Sequence, residues 1–436
     1  MPGAALMRIA PRHPAHASTT AQLAASYPFI GEGGLGGSGC YVGVDLYGGG
    51  SFAFFPWELM RRGIISAPHI ALIGQGGKAK SSLAKCLCWR LLVFGVQCWV
   101  IDPKGEYGSL CAAAGVTPIR LEPGGAVRLN PLDPRIADPR ASSRSVARDQ
   151  LALLQAILET SLGRRLASEE RTACELALRE AARRCGEPTL PAVVAAMLEP
   201  SPDDAAEVLT TPAALAAASR EAALELRRMV SATGDLAGMF DGPTTGSFDI
   251  TAPIVALDLS AVRDSDALGV LMTCAASWMQ RALRRRDGVR RMVVWDEAWE
   301  IMAHLGCARW MRRSLKYGRA YDVANLVIAH RATDFLGAGA DGTEQHHIAQ
   351  GLLQDCETRI FYWQRREHLN AVRDLVQLTE VECDHIARQG PRGRGLWQVG
   401  QRSFVVQHVV GPDEWAFVRT DHSDVDENEF DDGDAA

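Results

Sequence analysis

The chain has 436 residues, of which 47% are hydrophobic and 22% are charged, and its formal net charge is −6. This composition is typical of folded globular domains and excludes a fibrous or wholly disordered chain. Residues 421–436 contain eight acidic and no basic residues, so the rest of the chain has a net charge of only +2. We therefore expect a nearly neutral folded body followed by an acidic, disordered tail at residues 421–436. Bulk charge alone neither indicates nor excludes a nucleic-acid partner.

No apolar run reaches the roughly 18–20 residues that a membrane-spanning helix needs, and the N-terminus lacks the apolar segment of a secretory signal. The eleven cysteines include no C-x-x-C pair, and several lie inside apolar runs. Buried free thiols in a reducing compartment explain them, whereas a metal site at Cys86 and Cys88 lacks a second pair at suitable spacing. We expect a cytoplasmic protein, with peripheral attachment to the cytoplasmic membrane as an open alternative.

Strand and helix patterns alternate along most of the chain, which predicts an α/β fold with a mainly parallel sheet and helices on both faces. Short extended pieces are predicted at 116–121 and 127–129, and the first helices at 57–65 and 81–94. The predicted strands are residues 41–47, 51–55, 69–73, 97–101, 254–259, 292–295, 326–329, 359–363 and two strands within 395–410.

The character of the sequence changes between about residue 142 and residue 238, where Ala, Leu, Glu and Arg dominate. Leu151, Leu154, Leu158 and Leu162 have helical spacing. We interpret this segment as an all-α insertion in the α/β domain. The predicted organisation is an N-terminal loop and β-hairpin segment (1–65), a first part of the core (66–134), the helical insertion (135–240), a second part of the core (241–420) and the tail (421–436).

A glycine-rich segment follows the strand at 69–73 and matches the P-loop pattern G-x-x-x-x-G-K-[ST] at all but one position. Gly74, Lys80 and Ser81 fit the pattern, whereas Ala79 stands where its last glycine is expected. A register with Lys78 in the lysine position fails, because Ala79 would then replace the hydroxyl residue.

The matching register predicts a nucleotide-binding loop at the start of a helix, where backbone N–H groups surround phosphates. Lys80 would reach the β- and γ-phosphates, and Ser81 would ligate Mg²⁺. The predicted nucleotide-binding residues are Gly74, Gln75, Gly76, Gly77, Lys78, Ala79, Lys80, Ser81 and Ser82.

Lysine usage supports this prediction, because the chain has five lysines against 41 arginines. Three of the five lie at positions 78, 80 and 85, and a fourth is Lys104 in a turn after the strand at 97–101. A lysine kept in such a chain indicates a need for a compact ammonium group, for example among phosphates. Turn chemistry explains Pro103 and Gly105 but does not explain Lys104.

A second apolar strand ends in two adjacent acidic residues, Asp296 and Glu297. Strand alternation points their side chains in different directions. Asp296 could then complete a magnesium site with Ser81, while Glu297 polarises the attacking water. A solvated helix N-terminus, where acidic residues are favourable, is the alternative explanation of the pair.

The strand at 326–329 ends at His330, which either faces the γ-phosphate or has only a structural role at the strand end. Arginine candidates for a finger that reaches a neighbouring subunit's site are Arg312, Arg313, Arg319 and Arg359, of which we favour Arg319 and Arg359. A solvated basic face is the alternative for each. The predicted catalytic residues are Glu297, Lys80, His330, Arg319 and Arg359, and the predicted metal ligands are Ser81 and Asp296.

A basic cluster is formed in the sequence by the arginines at 284–286 and by Arg290 and Arg291. It could contact DNA phosphates in a ring channel. A solvated helix end is the other explanation, because cations are favourable at a helix C-terminus.

These motifs occur in an order that resembles the conjugative type IV secretion ATPases of the HerA–FtsK superfamily of P-loop motors. The resemblance covers roughly residues 66–410, and it departs at Ala79 and at His330, where many relatives carry glycine and glutamine. The strings that carry it are residues 74–81, Ile-Asp-Pro-Lys-Gly-Glu-Tyr at 101–107, Leu-Asn-Pro-Leu-Asp at 129–133, Phe-Asp-Gly-Pro-Thr at 240–244 and Trp-Asp-Glu-Ala-Trp at 295–299.

The resemblance implies a RecA-like core that binds ATP and Mg²⁺, hydrolyses ATP and assembles into a homo-oligomeric ring, expected to be a hexamer. It also implies type IV secretion or conjugation subunits at the inner face of the membrane as partners, with DNA as a candidate partner. Whether DNA or protein is transported stays open.

Our first hypothesis is an ATP-hydrolysing motor subunit of a conjugative DNA-transfer or type IV secretion machine. A nucleotide-binding scaffold that does not hydrolyse is the alternative that Ala79 and Lys78 suggest, and a DNA translocase outside secretion is a further one. A phosphotransferase is disfavoured because the acid pair far downstream of the P-loop suits hydrolysis.

Overall fold

The computed structural model describes residues 34–136, 140–234, 236–245, 249–263, 268–283, 287–302, 305–336, 343–388 and 390–419. The predicted loose N-terminal opening, apart from residues 34–39, lies outside the described residues. So do the arginines at 284–286 and the predicted acidic tail.

The described strands form one mixed sheet in which seven neighbouring strands are parallel and four at one side are antiparallel. Across the sheet their order is β2-β1-β11-β10-β9-β3-β8-β7-β4-β6-β5, and the parallel part begins at β9. The strands are β1 (Cys40–Asp45), β2 (Ser51–Phe54), β3 (Ile70–Ile73), β4 (Gln97–Asp102), β5 (Ile119–Arg120), β6 (Ile254–Asp258), β7 (Arg291–Trp295), β8 (Val323–Ala329), β9 (Thr358–Phe361), β10 (Arg394–Val399) and β11 (Arg402–His408).

Helices follow or precede these strands on both faces of the sheet. They are α1 (Pro56–Arg61), α2 (Lys80–Leu92), α3 (Gly108–Ala113), α4 (Ser143–Leu162), α5 (Ser168–Cys185), α6 (Leu190–Leu198), α7 (Pro202–Glu207), α8 (Pro212–Ala218), α9 (Arg220–Val230), α10 (Leu268–Leu283), α11 (Ala298–Met302), α12 (Leu305–Gly318), α13 (Glu344–Asp355), α14 (Arg366–Val376), α15 (Glu380–Ala387) and α16 (Trp415–Val418).

Alternate side chains of the central strands supply two separate buried clusters, one on each face of the sheet. In β3, Ala71 and Ile73 belong to one cluster, and Ile70 and Leu72 belong to the other. Strands with both faces covered are apolar at every position, because neither face meets water. The predicted α/β fold, with a mainly parallel sheet and helices on both faces, is therefore confirmed.

The predicted all-α segment appears as the six helices α4 to α9, of which α4, α5, α6 and α9 share a buried cluster with Ile73 on one face of the sheet, while α7 and α8 pack against α5. Leu154 and Leu158 are fully buried there, and Leu151 and Leu162 are partly buried, as their helical spacing predicts. The boundaries proposed for the individual domains remain predictions.

Two of the motifs that flank this segment bind each other at its entrance and exit. The Thr244 hydroxyl accepts from the Asn130 N–H at 3.0 Å and donates to Asp133 Oδ2 at 2.8 Å. The Asn130 side-chain amide donates to the Pro188 carbonyl at 2.9 Å. These polar residues therefore hold the two ends of the helical segment together.

The structure differs from the predictions in two places. One is near this connection, and the other is at the start of β7. Residues 127–129 are not a strand, because Leu129 donates its N–H to Met239 in a loop rather than to a neighbouring strand. Arg291 is not part of a solvated basic cluster, because it is buried as the first residue of β7. Its guanidinium donates to Gln97 Oε1 at 2.9 Å and forms an ion pair with Asp287.

The N-terminal hairpin joins the main sheet, because β1 pairs with β11. Arg90 of α2 fixes this junction: it donates to the carbonyl oxygens of Tyr41 at 2.7 Å and Val409 at 2.6 Å, and to Glu414 Oε1 at 2.7 Å. The Arg90 and Glu414 side chains are 14% and 8% exposed. The pair therefore ties the P-loop helix to both ends of the described chain.

We expect Arg90→Met to lower the free energy of unfolding by about 3–5 kcal/mol, because it leaves the Glu414 carboxylate buried without its cation. Unfolding monitored by circular dichroism during heating or urea titration would measure this loss. Arg61→Met is the matched control, because its partner Glu58 forms an exposed pair one turn away, and its unfolding midpoint should barely change. Equal effects of the two substitutions would contradict a special role for the Arg90 pair.

Candidate functional site

The residues of the candidate site follow four neighbouring parallel strands, whose carboxyl ends lie at one edge of the sheet. The glycine-rich loop follows β3, His330 follows β8, the acid pair follows β7, and Lys104 follows β4. The β8 strand lies between the P-loop strand and the acid-pair strand. His330, which follows the last residue of β8, is therefore in position to connect the two motifs.

The loop that follows β3 has the backbone conformation that a P-loop requires. This includes Ala79, where the sequence departs from the P-loop pattern. Ala79 has φ 69° and ψ 27°, in the left-handed region that glycine adopts freely, and it directly precedes α2. Such a conformation costs an alanine about 1–2 kcal/mol. At the other end of the loop, a Cβ on Gly74 would lie 2.6 Å from Tyr362 Cβ, so glycine is needed there.

Lys80 lies in the centre of the site and is 7% exposed. Its ammonium donates to the Gln75 carbonyl at 3.1 Å and to His330 Nδ1 at 3.3 Å. Burial lowers the pKa of Lys80 to about 8, and the charges of Glu297 and Asp296 oppose that change. Lys78 instead lies over the Trp363 ring, with its ammonium 5.4 Å from the ring centre. Of these two P-loop lysines, Lys80 is the one in hydrogen-bond contact with His330.

Asp296 is buried and keeps one oxygen without a hydrogen bond. Its Oδ1 accepts from the Glu297 N–H at 3.0 Å, whereas Oδ2 has no partner among the described residues. Burial and the nearby charges of Glu297 and Asp102 raise the pKa of Asp296 to about 7. An unsatisfied buried carboxylate oxygen fits the hard cation Mg²⁺, which is commonly held by one or two carboxylates together with substrate phosphates.

Ser81 is the second residue of α2, beside the P-loop lysine, and is the other predicted ligand. The described residues contain no group of three or more His, Cys, Asp or Glu side chains that could hold a metal by itself. This also applies to Cys86 and Cys88, which are buried free thiols like most described cysteines. A magnesium ion here would therefore need ligands from the nucleotide or water in addition to Ser81 and Asp296.

Glu297 accepts hydrogen bonds on both carboxylate oxygens. Oε1 accepts from His330 Nε2 at 2.8 Å and forms an ion pair with Lys104, and Oε2 accepts from Trp299 Nε1 at 2.5 Å. Burial alone would raise the pKa of Glu297, but the hydrogen bonds from His330 and Lys104 lower it to about 2. The side chain is only 4% exposed, unlike an acidic residue at a solvated helix end.

His330 connects the P-loop lysine with the acidic residue. Because Nδ1 accepts from the Lys80 ammonium, Nε2 is the nitrogen that donates to Glu297. The buried Gln364 side chain fixes the loop, donating to the His330 carbonyl at 2.9 Å and accepting from the Ala332 N–H at 3.3 Å. Gln364 was not predicted, because nothing in the sequence relates it to residue 330.

Lys104 belongs to this site, although we did not predict it as a site residue from the sequence. Its backbone is fixed by Asp102, whose carboxylate accepts the N–H groups of Lys104 at 3.2 Å, Gly105 at 2.8 Å and Tyr107 at 3.0 Å. The signal that could have identified it is its retention in a chain that otherwise uses arginine.

Arg319 lies far from this chain's own P-loop, and the other arginine candidates lie on β9 and α12. Arg319 is exposed and precedes β8, whose seven residues, at roughly 3.3 Å each, separate it by about 23 Å from His330. Arg359 pairs in register with Ala71 and donates to the Leu353 carbonyl at 3.1 Å, at the C-terminal end of α13. Arg312 and Arg313 are exposed on α12.

Two cavities are each lined in part by residues of the P-loop. One, of about 410 Å³, is lined by Gln75, Gly76, His330, Arg331, Arg365, Glu367 and His368. The other, of about 400 Å³, is lined by aromatic and basic residues that include Tyr47, Lys78, Trp363, His385, Arg388 and Arg394. The Tyr47 hydroxyl lies 3.1 Å from His385 Nε2, so the N-terminal hairpin contacts α15 at this cavity.

Residues 65–267 match a family model described as "Helicase HerA, central domain". The matched region begins before β3, includes the P-loop and the helices α4 to α9, and ends before the acid pair. No curated protein sequence is significantly similar to the chain.

Three solved structures share the fold over most of their length. VirB4 of Thermoanaerobacter pseudethanolicus is 24% identical, with a TM-score of 0.70 over 88% of this chain and 100% of that chain. The bacterial conjugative coupling protein TrwBdeltaN70 is 14% identical, with a TM-score of 0.58 over 90% of this chain and 92% of that chain. TrwB in complex with a non-hydrolysable ATP analogue is 16% identical, with a TM-score of 0.54 over 79% and 85% of the two chains.

The shared fold of the solved structures confirms the predicted RecA-like P-loop architecture. The family-model match bears out the HerA part of the predicted resemblance over residues 65–267. None of the helices in the described ranges has both the length and the apolar character needed to traverse a bilayer.

We expect Ala79→Gly to leave the free energy of unfolding unchanged or to raise it by up to about 1 kcal/mol, because glycine adopts the left-handed backbone without strain. Ala84→Gly, in the buried interior of the same helix, should instead lower it by about 1 kcal/mol or more. Thermal unfolding of both variants measures the difference. Equal destabilisation by both would show that the loop does not strain Ala79.

Proposed function

We propose that the chain binds and hydrolyses ATP with Mg²⁺ at this edge of the sheet, as the motor subunit of a conjugative DNA-transfer or type IV secretion machine. The observation that carries this proposal is the contact of Lys80 with Glu297 through His330, beside the unsatisfied Oδ2 of Asp296. The P-loop lysine, an ionised base and a free carboxylate ligand then occupy one site. Solved structures of TrwB hold ADP with Mg²⁺ and a non-hydrolysable ATP analogue, which supports the same ligands here.

Each residue has a distinct part in the proposed reaction. The N–H groups of residues 74–81 and the Lys80 ammonium hold the phosphates. Ser81 and Asp296 Oδ2 would hold Mg²⁺, which when bound neutralises phosphate charge. Glu297 accepts a proton from the attacking water, and His330 holds Glu297 at a fixed distance from the P-loop lysine.

The nucleoside part of ATP fits the cavity of about 400 Å³ beside Lys78. Trp363 and Tyr47 provide aromatic surface, and the basic side chains of Arg388 and Arg394 provide polar contacts, as is typical of sites for small ligands. The Gln75 N–H donates to the Trp363 carbonyl at 3.3 Å, which fixes this cavity relative to the phosphate loop.

A steady-state ATPase assay, with and without single-stranded and double-stranded DNA, tests the proposal. Lys80→Ala should lose nucleotide affinity or turnover, because it removes the charge at the phosphates, whereas Lys78→Ala controls for the register of the loop. Glu297→Gln should keep nucleotide bound but lower turnover about 10²-fold or more, since an amide cannot accept the proton.

Normal hydrolysis by Lys80→Ala together with loss in Lys78→Ala would show that the register is wrong. Wild-type turnover in Glu297→Gln would remove Glu297 from catalysis. A wild-type chain that binds ATP and never hydrolyses it would favour the scaffold alternative.

We also propose that the chain acts as a homo-oligomeric ring, in which Arg319 completes the site of a neighbouring subunit. Arg319 is exposed and about 23 Å of strand away from its own His330, so it can serve only another subunit's phosphates. Arg359 is the second candidate, although its contact with the Leu353 carbonyl would have to be broken first.

Mixing inactive variants tests this arrangement. Lys80→Ala subunits lack a working site but keep their arginines, so adding them to Arg319→Ala subunits should restore part of the hydrolysis. Finger loss can lower turnover by about 10³-fold, so partial rescue is measurable. A mixture of Lys80→Ala and Glu297→Gln subunits is the negative control. It should show no rescue, because neither subunit has a complete site. Absence of rescue for both Arg319→Ala and Arg359→Ala, or full activity of a monomer, would contradict a finger in trans.

A further inference from the structure

Lys104 and Glu297 form an ion pair in which the expected base is already occupied. The Lys104 ammonium contacts the same oxygen of Glu297 that accepts from His330. Trp299 donates to the other oxygen. With three donors already on its two oxygens, the carboxylate has little room left to accept a hydrogen bond from a water molecule. In this arrangement Glu297 is held in place but is poorly suited to take a proton from water.

The backbone of Lys104 is rigid, whereas its side chain can move. The Asp102 carboxylate accepts three N–H groups of the turn. Gly105 has φ 73°, and a Cβ there would lie 2.9 Å from Ser260 Oγ, so the turn has little freedom. The lysine side chain is 22% exposed and has four rotatable bonds. Its ammonium can therefore change partner without a change in the fold.

The P-loop lysine lies on the other side of His330, so this series of contacts carries an ammonium group at each end. Lys80 contacts His330, His330 contacts Glu297, and Glu297 contacts Lys104. A terminal phosphate carries more negative charge than one carboxylate and offers three acceptor oxygens, so it competes well for Lys104.

We propose that Lys104 is a positioning residue that holds Glu297 in a resting state and releases it by moving to the terminal phosphate of ATP. ADP lacks that phosphate, so Lys104 stays with Glu297 when ADP is bound. This inference rests on the proposed ATPase function, and it goes further by coupling the release of the base to the presence of the substrate. The lysine is required because a compact ammonium can exchange one acceptor for another more readily than a two-pronged guanidinium.

The test compares the affinities of a non-hydrolysable ATP analogue and of ADP, both with Mg²⁺, by titration calorimetry. Lys104→Met should weaken binding of the analogue about 10-fold or more and leave ADP affinity unchanged, because only the analogue offers the phosphate. Arg171→Met, which removes one positive charge from an exposed position of α5, is the matched control and should change neither affinity.

Glu297→Gln gives a second, independent readout. Since no ion pair then has to be broken, the analogue should bind more tightly than to wild type, with ADP affinity unchanged. The double variant Lys104→Met, Glu297→Gln should lose this gain. An equal loss of both nucleotides in Lys104→Met, or an unchanged preference, would overturn the inference.

The two proposals fail in different ways. If the wild-type protein binds nucleotide without hydrolysing it, the proposed motor function is excluded. The preference for the analogue over ADP then still decides the role of Lys104. A wild-type protein that binds neither nucleotide overturns both.

Discussion

The burial of opposite charges at one edge of a parallel sheet is the constraint on which this site depends. Lys80, Asp296 and Glu297 are each less than 10% exposed, and an isolated buried charge would cost several kcal/mol. They are tolerated because the P-loop lysine, His330, Glu297 and Lys104 form one connected series of contacts. Asp296 is the exception, since Oδ2 has no partner among the described residues. The charges are therefore balanced only in part by the protein, which favours the binding of a cation with its nucleotide.

Backbone strain is located at the same edge. Five described residues other than glycine have positive φ, and two of them, Ala79 and Glu297, lie in the site loops. Two others, Asp322 and Gln377, directly follow helical segments, where a left-handed residue is common. Ala79 and Glu297 do not follow a helix, so helix termination does not explain their positive φ. Strain of this kind persists only where the surroundings fix the conformation, and here the buried strands β3 and β7 do so.

The sequence predicted the parts of this protein that follow from local pattern. The buried strand β3 and residues 326–329 of β8 are continuous apolar runs, and the glycine-rich loop has a fixed spacing, so both could be predicted without knowledge of the fold. The resemblance, through strings such as the one at 295–299, correctly indicated a RecA-like fold. The acid pair was predicted from its place at a strand end.

Contacts between distant segments could not be predicted in this way. The pairing of Lys104 with Glu297 joins residues far apart in the sequence, and only the order of β4 and β7 in the sheet brings them together. Residues 127–129 looked like a short extended piece, but Leu129 donates its N–H to a loop rather than to a strand. Arg291 looked like part of an exposed basic run, yet its position opposite Gln97 buries it. In each case the outcome depends on a contact with a residue distant in the sequence, and the local pattern does not show that contact.

The position of β8 gives the proposed ring a direct connection between neighbouring sites. All seven residues of the strand are buried, and it lies between the P-loop strand and the acid-pair strand. His330 follows one end of β8, and Arg319 precedes the other end, separated from it only by a short helical turn. If Arg319 contacts the phosphates of the next subunit, the residue that senses one site and the residue that completes the other are fixed to the same rigid strand. A shift of β8 caused by events at His330 would then move Arg319 in the next site, and coordination between subunits would need no additional domain.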